Sequence, residues 1–316
     1  MKILITGIAG FAGSHLAELL VNDGEEVCGT VLPSESTRNL EPFQSRVKTF
    51  PCDMRDGEAI EKLIAQVNPE EIYHLAALAF IPDSISNPRL TFDTNLYGTL
   101  NILEAARKAS PRCRILFVGS ADEYGRVRRD ELPIAEHNPL RPANPYSVSK
   151  ASASMLAYQY ALSERMHIVR VRPFNHTGPR QSPQFVCSDF ARQIVEAERG
   201  SRPPHVHVGN LKPRRDFTDA RDVVRAYRDV LRRGDPSDVY NVCSGIAVSI
   251  GEVLEQLLAL SASRPAVVES PERTRESDVN EIRGDFAKLQ RTTGWRPAIP
   301  LSQTLHDLIE HWRTVN

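Results

Sequence analysis

The sequence predicts an α/β protein: a doubly wound parallel sheet with a smaller, discontinuous C-terminal domain. Three observations predict it. Short β-rich apolar runs alternate with helix-period segments through the first half of the chain. A glycine-rich turn joins the first such run to the first helix. Beyond Arg172 the pattern loosens, as Pro173, Pro179, Pro183, Pro203, Pro204 and Pro213 break the chain into loops and short elements.

The strand candidates are residues 2–5, 26–30, 47–50, 71–75, 114–118 and 167–172, separated by helical patterns at 11–21, 59–66, 95–108 and 146–162. Strands divided by helices make βαβ units, whose sheet is parallel and covered on both faces. His205-Val206-His207 reads as a further strand with both imidazoles on one face. A helix at 219–232 and a strand at 239–242 read as a return to the sheet. From Gly245 the chain leaves it again, with helices at 250–260 and near 301–312. The expected domains are therefore 1–172 plus 214–244, and 173–213 plus 245–316.

With 316 residues, 41% of them hydrophobic and 25% charged, the composition is that of an ordinary globular protein. A formal charge of -1 provides no general basic field, so a nucleic-acid partner is not expected. Arg126, Arg128 and Arg129 form one local basic cluster, and Lys212, Arg214 and Arg215 another. Five cysteines without a C-x-x-C pair read as reduced core residues of a cytosolic protein. Met1 leads straight into a strand and no run approaches a membrane span, so the expected location is cytoplasmic and away from membranes. The nine histidines lack ligand spacing, and no metal site is expected.

Gly7, Gly10 and Gly13 stand at the first strand–helix turn, where a tight bend and a close approach to a diphosphate both exclude a Cβ. At that place they form a Rossmann-type dinucleotide fingerprint. An acidic residue ending the second strand would hold the ribose of NAD. Here Thr30-Val31-Leu32-Pro33 offers no carboxylate before Glu35, and Arg38 is the nearest cation for a 2′-phosphate. The cofactor expected is NADP(H), with NAD(H) as the alternative. Asp53, after the third strand, could accept from the adenine amino group or be a plain turn residue.

Tyr146 and Lys150 are spaced i, i+4, which puts a phenol and an ammonium on one face of a helix. A neighbouring cation favours the phenolate and would bring the tyrosine toward a useful acid–base range. Ser120 lies just beyond the strand at 114–118, where ligand-facing residues of an open α/β sheet belong. The three form the expected catalytic group.

With these residues in place, the chain resembles the extended short-chain dehydrogenase/reductases, the NAD-dependent epimerase/dehydratase family that acts on sugar nucleotides. The resemblance covers nearly the whole chain. It rests on Gly7–Gly13, His74-Leu75-Ala76-Ala77, Asn95-Leu96-Tyr97-Gly98-Thr99, Ser120 with Tyr124-Gly125, and Tyr146 with Lys150. It implies that Tyr146 exchanges a proton with the sugar, that Lys150 also holds the nicotinamide ribose, and that hydride moves at C4 of the sugar. It also implies cofactor contacts from Phe11, Ala12, Met54 and Asn95, and from Leu75, Ala76, Ala77 and Pro173.

Arg172-Pro173-Phe174-Asn175-His176-Thr177-Gly178-Pro179 and Arg215-Asp216-Phe217-Thr218-Asp219 look like the GDP-mannose branch of that family. By that resemblance Asn175 contacts the sugar diphosphate, Arg215 and Arg275 pair with it, and Asp278 accepts from the nucleotide ribose. Two reactions of the branch compete. A 4,6-dehydratase needs an added carboxylate base, and its glutamate is replaced here by the shorter Asp122, next to Ala121. The glycine turn and Leu32-Pro33 also depart from the dehydratase pattern. These departures favour reduction of the C4 ketone of GDP-4-keto-6-deoxy-D-mannose to GDP-D-rhamnose. The dehydratase, the C4 epimeric product, another sugar-nucleotide epimerase or dehydratase, and a non-catalytic NADP(H)-binding redox sensor remain alternatives. The resemblance also implies a homodimer formed through the tyrosine-bearing helix and its neighbour.

Overall fold

The structure, a computed structural model, describes residues 1–270 and 280–315. The first part of the chain runs β1 (Lys2–Thr6), α1 (Phe11–Asn22), β2 (Glu26–Val31), β3 (Val47–Pro51), α2 (Gly57–Val67), β4 (Glu71–His74), α3 (Ile81–Ser86), α4 (Pro88–Phe92), α5 (Gly98–Ala109), β5 (Arg114–Val118), α6 (Pro145–Ser163) and β6 (Ile168–Pro173). There follow β7 (Asn175–Thr177), α7 (Val186–Glu198), β8 (His205–Val208), β9 (Arg214–Asp219), α8 (Ala220–Arg233), β10 (Val239–Val242), β11 (Ala247–Ser249), α9 (Ile250–Ala259), β12 (Ala266–Glu269), β13 (Glu281–Ile282), α10 (Ala287–Thr293) and α11 (Leu301–Thr314).

Seven strands form one sheet in the order β3-β2-β1-β4-β5-β6-β10, and every pair is parallel. The order reverses between β1 and β4, so the loops leaving their carboxyl ends part and open a crevice there. Alternation along the strands divides the core. Leu116, Val169 and Val171 face α1 and α8, whereas Ile115, Phe117 and Ile168 face α2, α5 and α6. Each such buried aliphatic side chain contributes about 1.5–3 kcal/mol, so both helical layers are firmly seated. The predicted Rossmann-type fold is the one observed.

The C-terminal elements build a second layer beyond the carboxyl ends of the main sheet. β7, β11 and β13 all pair with β9, and β8 pairs with β12. Cys187, Phe190, Ile194, Leu254 and Leu308 bring α7, α9 and α11 into a separate core. β9 therefore lies outside the main sheet, although it opens the stretch 214–244 expected there. The buried carboxylate of Asp216 explains its position, for it accepts from the Ser244 and Gly245 N–H groups (2.8 and 2.9 Å) and from the Gly284 N–H (3.1 Å). In the opposite direction, Leu289 and Trp295 at α10 pack back into the core of α1 and α8.

Two helices differ from the sequence reading. α7 was hidden between prolines, although Cys187, Phe190 and Ile194 have helical spacing. The helix expected from residue 95 instead begins as a wide π-turn at Asp93–Tyr97, and regular α5 starts at Gly98. That turn carries Asn95 inward. All five cysteines are unpaired thiols. Among the described residues no helix is long and apolar enough to cross a membrane, and no group of three or more His, Cys, Asp or Glu could hold a metal ion.

Candidate active site

The carboxyl ends of β1, β4, β5 and β6 open into a cavity of about 680 Å³. Its first wall is the glycine turn. Gly7 has φ +70°, and a Cβ on Gly13 would lie 2.1 Å from the Gly7 carbonyl oxygen, so neither tolerates a side chain. Gly10 begins α1 without any side-chain cap, which leaves the first N–H groups of the helix for an anion. A bare helix terminus behind a cradle without Cβ atoms fits the diphosphate of a nicotinamide dinucleotide. Gly7, Gly10, Phe11, Ala12 and Gly13 all line the cavity, as do Asp53, Met54, Leu75, Ala76, Ala77 and Pro173.

Two expected cofactor residues stand elsewhere. Arg38 is exposed at the start of a 3-10 helix and does not line the cavity. Glu35 does, because the chain turns back after β2, its N–H donating to the Leu32 carbonyl (2.9 Å) and its carboxylate accepting from the Leu32 N–H (3.1 Å). Extended counting from the strand end placed Glu35 too far away. Asn95 is buried behind the wall rather than in it. It exchanges hydrogen bonds with the Leu78 backbone (2.8 and 3.1 Å) and donates to the Ser149 hydroxyl (3.0 Å), which itself donates to the Tyr146 carbonyl (2.7 Å). Asn95 thus fixes the cavity wall to the helix that bears the tyrosine. Asp53 faces the cavity with its carboxylate already held by the Arg55 guanidinium, 3.0 Å from Nε.

α6 starts where the chemistry needs it. Asn144 caps it by accepting from the Ser147 N–H (2.8 Å), the Ser147 hydroxyl accepts from the Asn144 N–H (3.1 Å), and Pro145 fills the first turn. Tyr146 and Lys150 then project into the cavity, only 8% and 5% exposed. Ser120 begins a short turn at Ala121–Tyr124, its oxygen accepting from the Asp122 N–H (3.1 Å) and its hydroxyl within hydrogen-bonding reach of the Tyr146 phenol and the Asp122 carboxylate.

Electrostatics correct one expectation. The Tyr146 phenol is not brought down by Lys150. Burial pushes it well above its ordinary value, the charge of Asp122 adds to the rise, and the Ser120 hydroxyl opposes it. Tyr146 is therefore a held proton, ready to be given. Burial also pushes the Lys150 ammonium down, to about 8, against the opposing charge of Glu123. Its nitrogen lies 5.3 Å over the Phe117 ring, a cation–π contact that retains some of its charge.

On the substrate side, Asp122 lines the cavity and Asn175 stands exposed at its rim. Burial raises the Asp122 carboxyl, while the cation of Arg215 and the Ser120 hydroxyl oppose that rise. Arg215 does not itself line the cavity, yet it shares a face of β9 with Phe217, which does. Arg275 and Asp278 lie outside the described residues. His176 is a site residue that the sequence reading left without a role. It lines the cavity, its Nδ1–H donates to the Phe174 carbonyl (3.1 Å), and its ring stacks on Phe11 of the glycine turn (5.7 Å, 8° between planes). Its place beside Asn175 was the signal available for it.

Comparison with known proteins agrees with this geometry. Residues 4–308 match the family model described as GDP-mannose 4,6 dehydratase. The chain belongs to this family of NAD-dependent epimerases and dehydratases. GDP-6-deoxy-D-mannose reductase of Pseudomonas aeruginosa is 33% identical over 99% of this chain and 97% of that protein. GDP-mannose 4,6 dehydratase 2 of Caenorhabditis elegans is 30% identical over 97% and 87%. A solved structure of RMD from Pseudomonas aeruginosa complexed with NADPH superimposes with a TM-score of 0.85, at 31% identity and 99% coverage of both chains. A UDP-glucose 4-epimerase of Thermotoga maritima reaches a TM-score of 0.90 at 27% identity, also with 99% of both chains covered. Family members use a nicotinamide cofactor to modify sugar nucleotides.

Lys150 makes the pH dependence specific. Its charge is present below about pH 8 and lost as pH rises through that value. The kcat/KM for a sugar-nucleotide substrate, which reports the free enzyme, is expected to fall on the alkaline side with a midpoint near 8. A midpoint near that of free lysine, about 10.4, would contradict the burial argument.

Proposed function

We propose that this chain reduces the C4 ketone of GDP-4-keto-6-deoxy-D-mannose to GDP-D-rhamnose. The observation that carries the reading is that Ser120, Asp122 and Tyr146 interact with one another at the cavity wall: a proton donor and a hydroxyl beside a carboxylate one methylene short. The full-length similarity to the Pseudomonas reductase supports it. When bound, the reduced dinucleotide supplies the hydride. As the carbon–oxygen π bond opens and C4 gains that hydride, Tyr146 gives its proton to the oxygen. Ser120 donates to the same oxygen, and the Lys150 ammonium, one helical turn along α6, supplies the cation of the site. Arg215 and Asn175 stand on the side of the sugar diphosphate, and no step requires a base at C5.

A second reading, 4,6-dehydration of GDP-mannose, has one observation in its favour. Asp122 lines the cavity and burial raises its proton affinity, as a base requires. Against it stand the missing methylene and the nearby cation of Arg215. Supplying GDP-4-keto-6-deoxy-D-mannose with NADPH, and separately GDP-mannose with NADP⁺, distinguishes the two. Stoichiometric oxidation of NADPH in the first mixture is expected. Accumulation of keto sugar in the second, without net change in cofactor, would establish the dehydratase instead.

NADPH is the form bound in the Pseudomonas structure, and Glu35 sets how strongly NADH competes with it here. A carboxylate beside the adenosine ribose repels a 2′-phosphate. Glu35→Gln is therefore expected to tighten NADPH binding several-fold relative to NADH, about 1 kcal/mol in titration calorimetry. An unchanged ratio would remove Glu35 from the selection. We further propose that the protein is a cytoplasmic homodimer paired through α5 and α6. Met155, Tyr158 and Leu162 leave an apolar stripe on α6, with Met155 65% and Leu162 55% exposed. Sedimentation equilibrium is expected to give twice the chain mass of 35.3 kDa, and a monomer would overturn the pairing.

A further inference from the structure

One polar group of the cavity has no part in the chemistry above. Tyr227, on α8, lines the cavity and is 0% exposed, and its hydroxyl has no hydrogen-bond partner. Several other buried polar side-chain atoms among the described residues also lack a partner, on His167, Arg170, Arg180, Arg192, Arg202 and Thr218, and none of those residues lines the cavity. A buried hydroxyl left unpaired has lost its water without compensation, so one placed against a binding cavity calls for a ligand to satisfy it.

Its position says which ligand group that is. α8 packs on the face of the sheet opposite α6, against β5 and β6. The two tyrosines reach the cavity from opposite sides of its floor, which is formed by Val118, Gly119 and Pro173 at the ends of those strands. Side chains on a helix lean toward its N-terminus, and α8 begins at the cavity end, so the Tyr227 hydroxyl is carried up toward the floor. Tyr146 and Tyr227 are near enough that the charge of one would raise the other. The glycine turn accounts for the diphosphate, and Tyr146, Lys150 and Ser120 account for the reacting oxygen. The polar group left at the hydride-carrying end of a nicotinamide dinucleotide is the ring carboxamide. A phenol that can both donate and accept suits a primary amide, which offers N–H donors and a carbonyl.

We propose that the Tyr227 hydroxyl hydrogen-bonds the carboxamide of the nicotinamide ring and so fixes the ring over the floor of the cavity. The inference rests on the use of a nicotinamide dinucleotide and is independent of which sugar is reduced. Since burial raises the Tyr227 phenol well above its ordinary value, the group remains a donor throughout the working pH range.

Titration calorimetry of the full chain and of Tyr227→Phe tests this with four ligands: NADPH, NADH, and the matching ADP-ribose fragments that lack the nicotinamide. The variant is expected to bind the intact dinucleotides about tenfold more weakly, equivalent to about 1.4 kcal/mol. The fragments should bind both proteins equally. The melting temperature of the ligand-free variant should be unchanged or higher, because the substitution removes no hydrogen bond. Equal affinity of both proteins for the intact dinucleotides would overturn the proposal. So would equal weakening of the fragments, or a clearly lower melting temperature, which would reveal a structural partner. Failure of the unmodified protein to bind either dinucleotide would overturn it together with the cofactor reading.

Discussion

The site depends on a buried ion pair beneath it. Glu123 is wholly buried and accepts from the Arg172 Nε–H at 2.8 Å, while its other oxygen accepts from the Ser120 N–H at 2.9 Å. One carboxylate thus joins the turn after β5 to the end of β6. Arg172 continues the network by donating to the Tyr124 hydroxyl (3.1 Å), which donates to the Asn241 side chain on β10 (2.7 Å). Three neighbouring strand ends are tied together, and Ser120 and Asp122 ride on the knot. Losing one partner would leave an uncompensated buried charge, at a cost of about 3–5 kcal/mol. Nor is there room for slack, since a Cβ on Gly119 would lie 2.2 Å from the Glu123 carboxylate.

A second network fixes the neighbouring strand ends without any charge. Burial pushes the His74 imidazole down to about 3, so it is neutral, and its hydrogen bonds assign the tautomer. The Thr99 hydroxyl donates to the Asn95 carbonyl (2.6 Å) and must therefore accept from the His74 Nε2–H (3.0 Å). Nδ1 then accepts from the Thr6 hydroxyl (2.8 Å), whose oxygen accepts from the Leu75 and Ala76 N–H groups (3.1 and 3.0 Å). Every donor in the chain has one acceptor. The wall at residues 75–78 is therefore set by β1, β4 and α5 together.

Much of this was legible in the sequence, for identifiable reasons. Most strands of the main sheet were readable because strands covered on both faces are continuous apolar runs, as in Lys2–Thr6 and Arg114–Val118, whereas the edge strand Val47–Pro51 is largely exposed. Gly7, Gly10, Gly13, Ser120, Tyr146 and Lys150 were readable because spacing alone brings them to one edge of such a sheet. Residues whose role depends on a fold-back or a distant packing partner were not. Glu35 reaches the cavity only through a reverse turn, and Arg38 leaves it for the same reason. Asn95 was assigned to the cofactor because its motif is in the right place, whereas the π-turn directs it into the wall. Tyr227 looks like any apolar-face helix residue until α8 is docked beneath the cavity. The sign of the shift on Tyr146 was missed because burial, invisible to spacing, governs it and the charge of Asp122 adds to it.

These constraints leave a cavity lined by the phenol of Tyr146, the ammonium of Lys150 and the short carboxylate of Asp122. In the proposed reduction, hydride passes from the dinucleotide to C4 of the sugar and stays there. The most direct measurement uses GDP-4-keto-6-deoxy-D-mannose and NADPH deuterated at the transferring position, with the product sugar examined by NMR. One deuterium is expected, at C4, with an equal amount of oxidised cofactor. A sugar without deuterium, or a label found at C6, would contradict it.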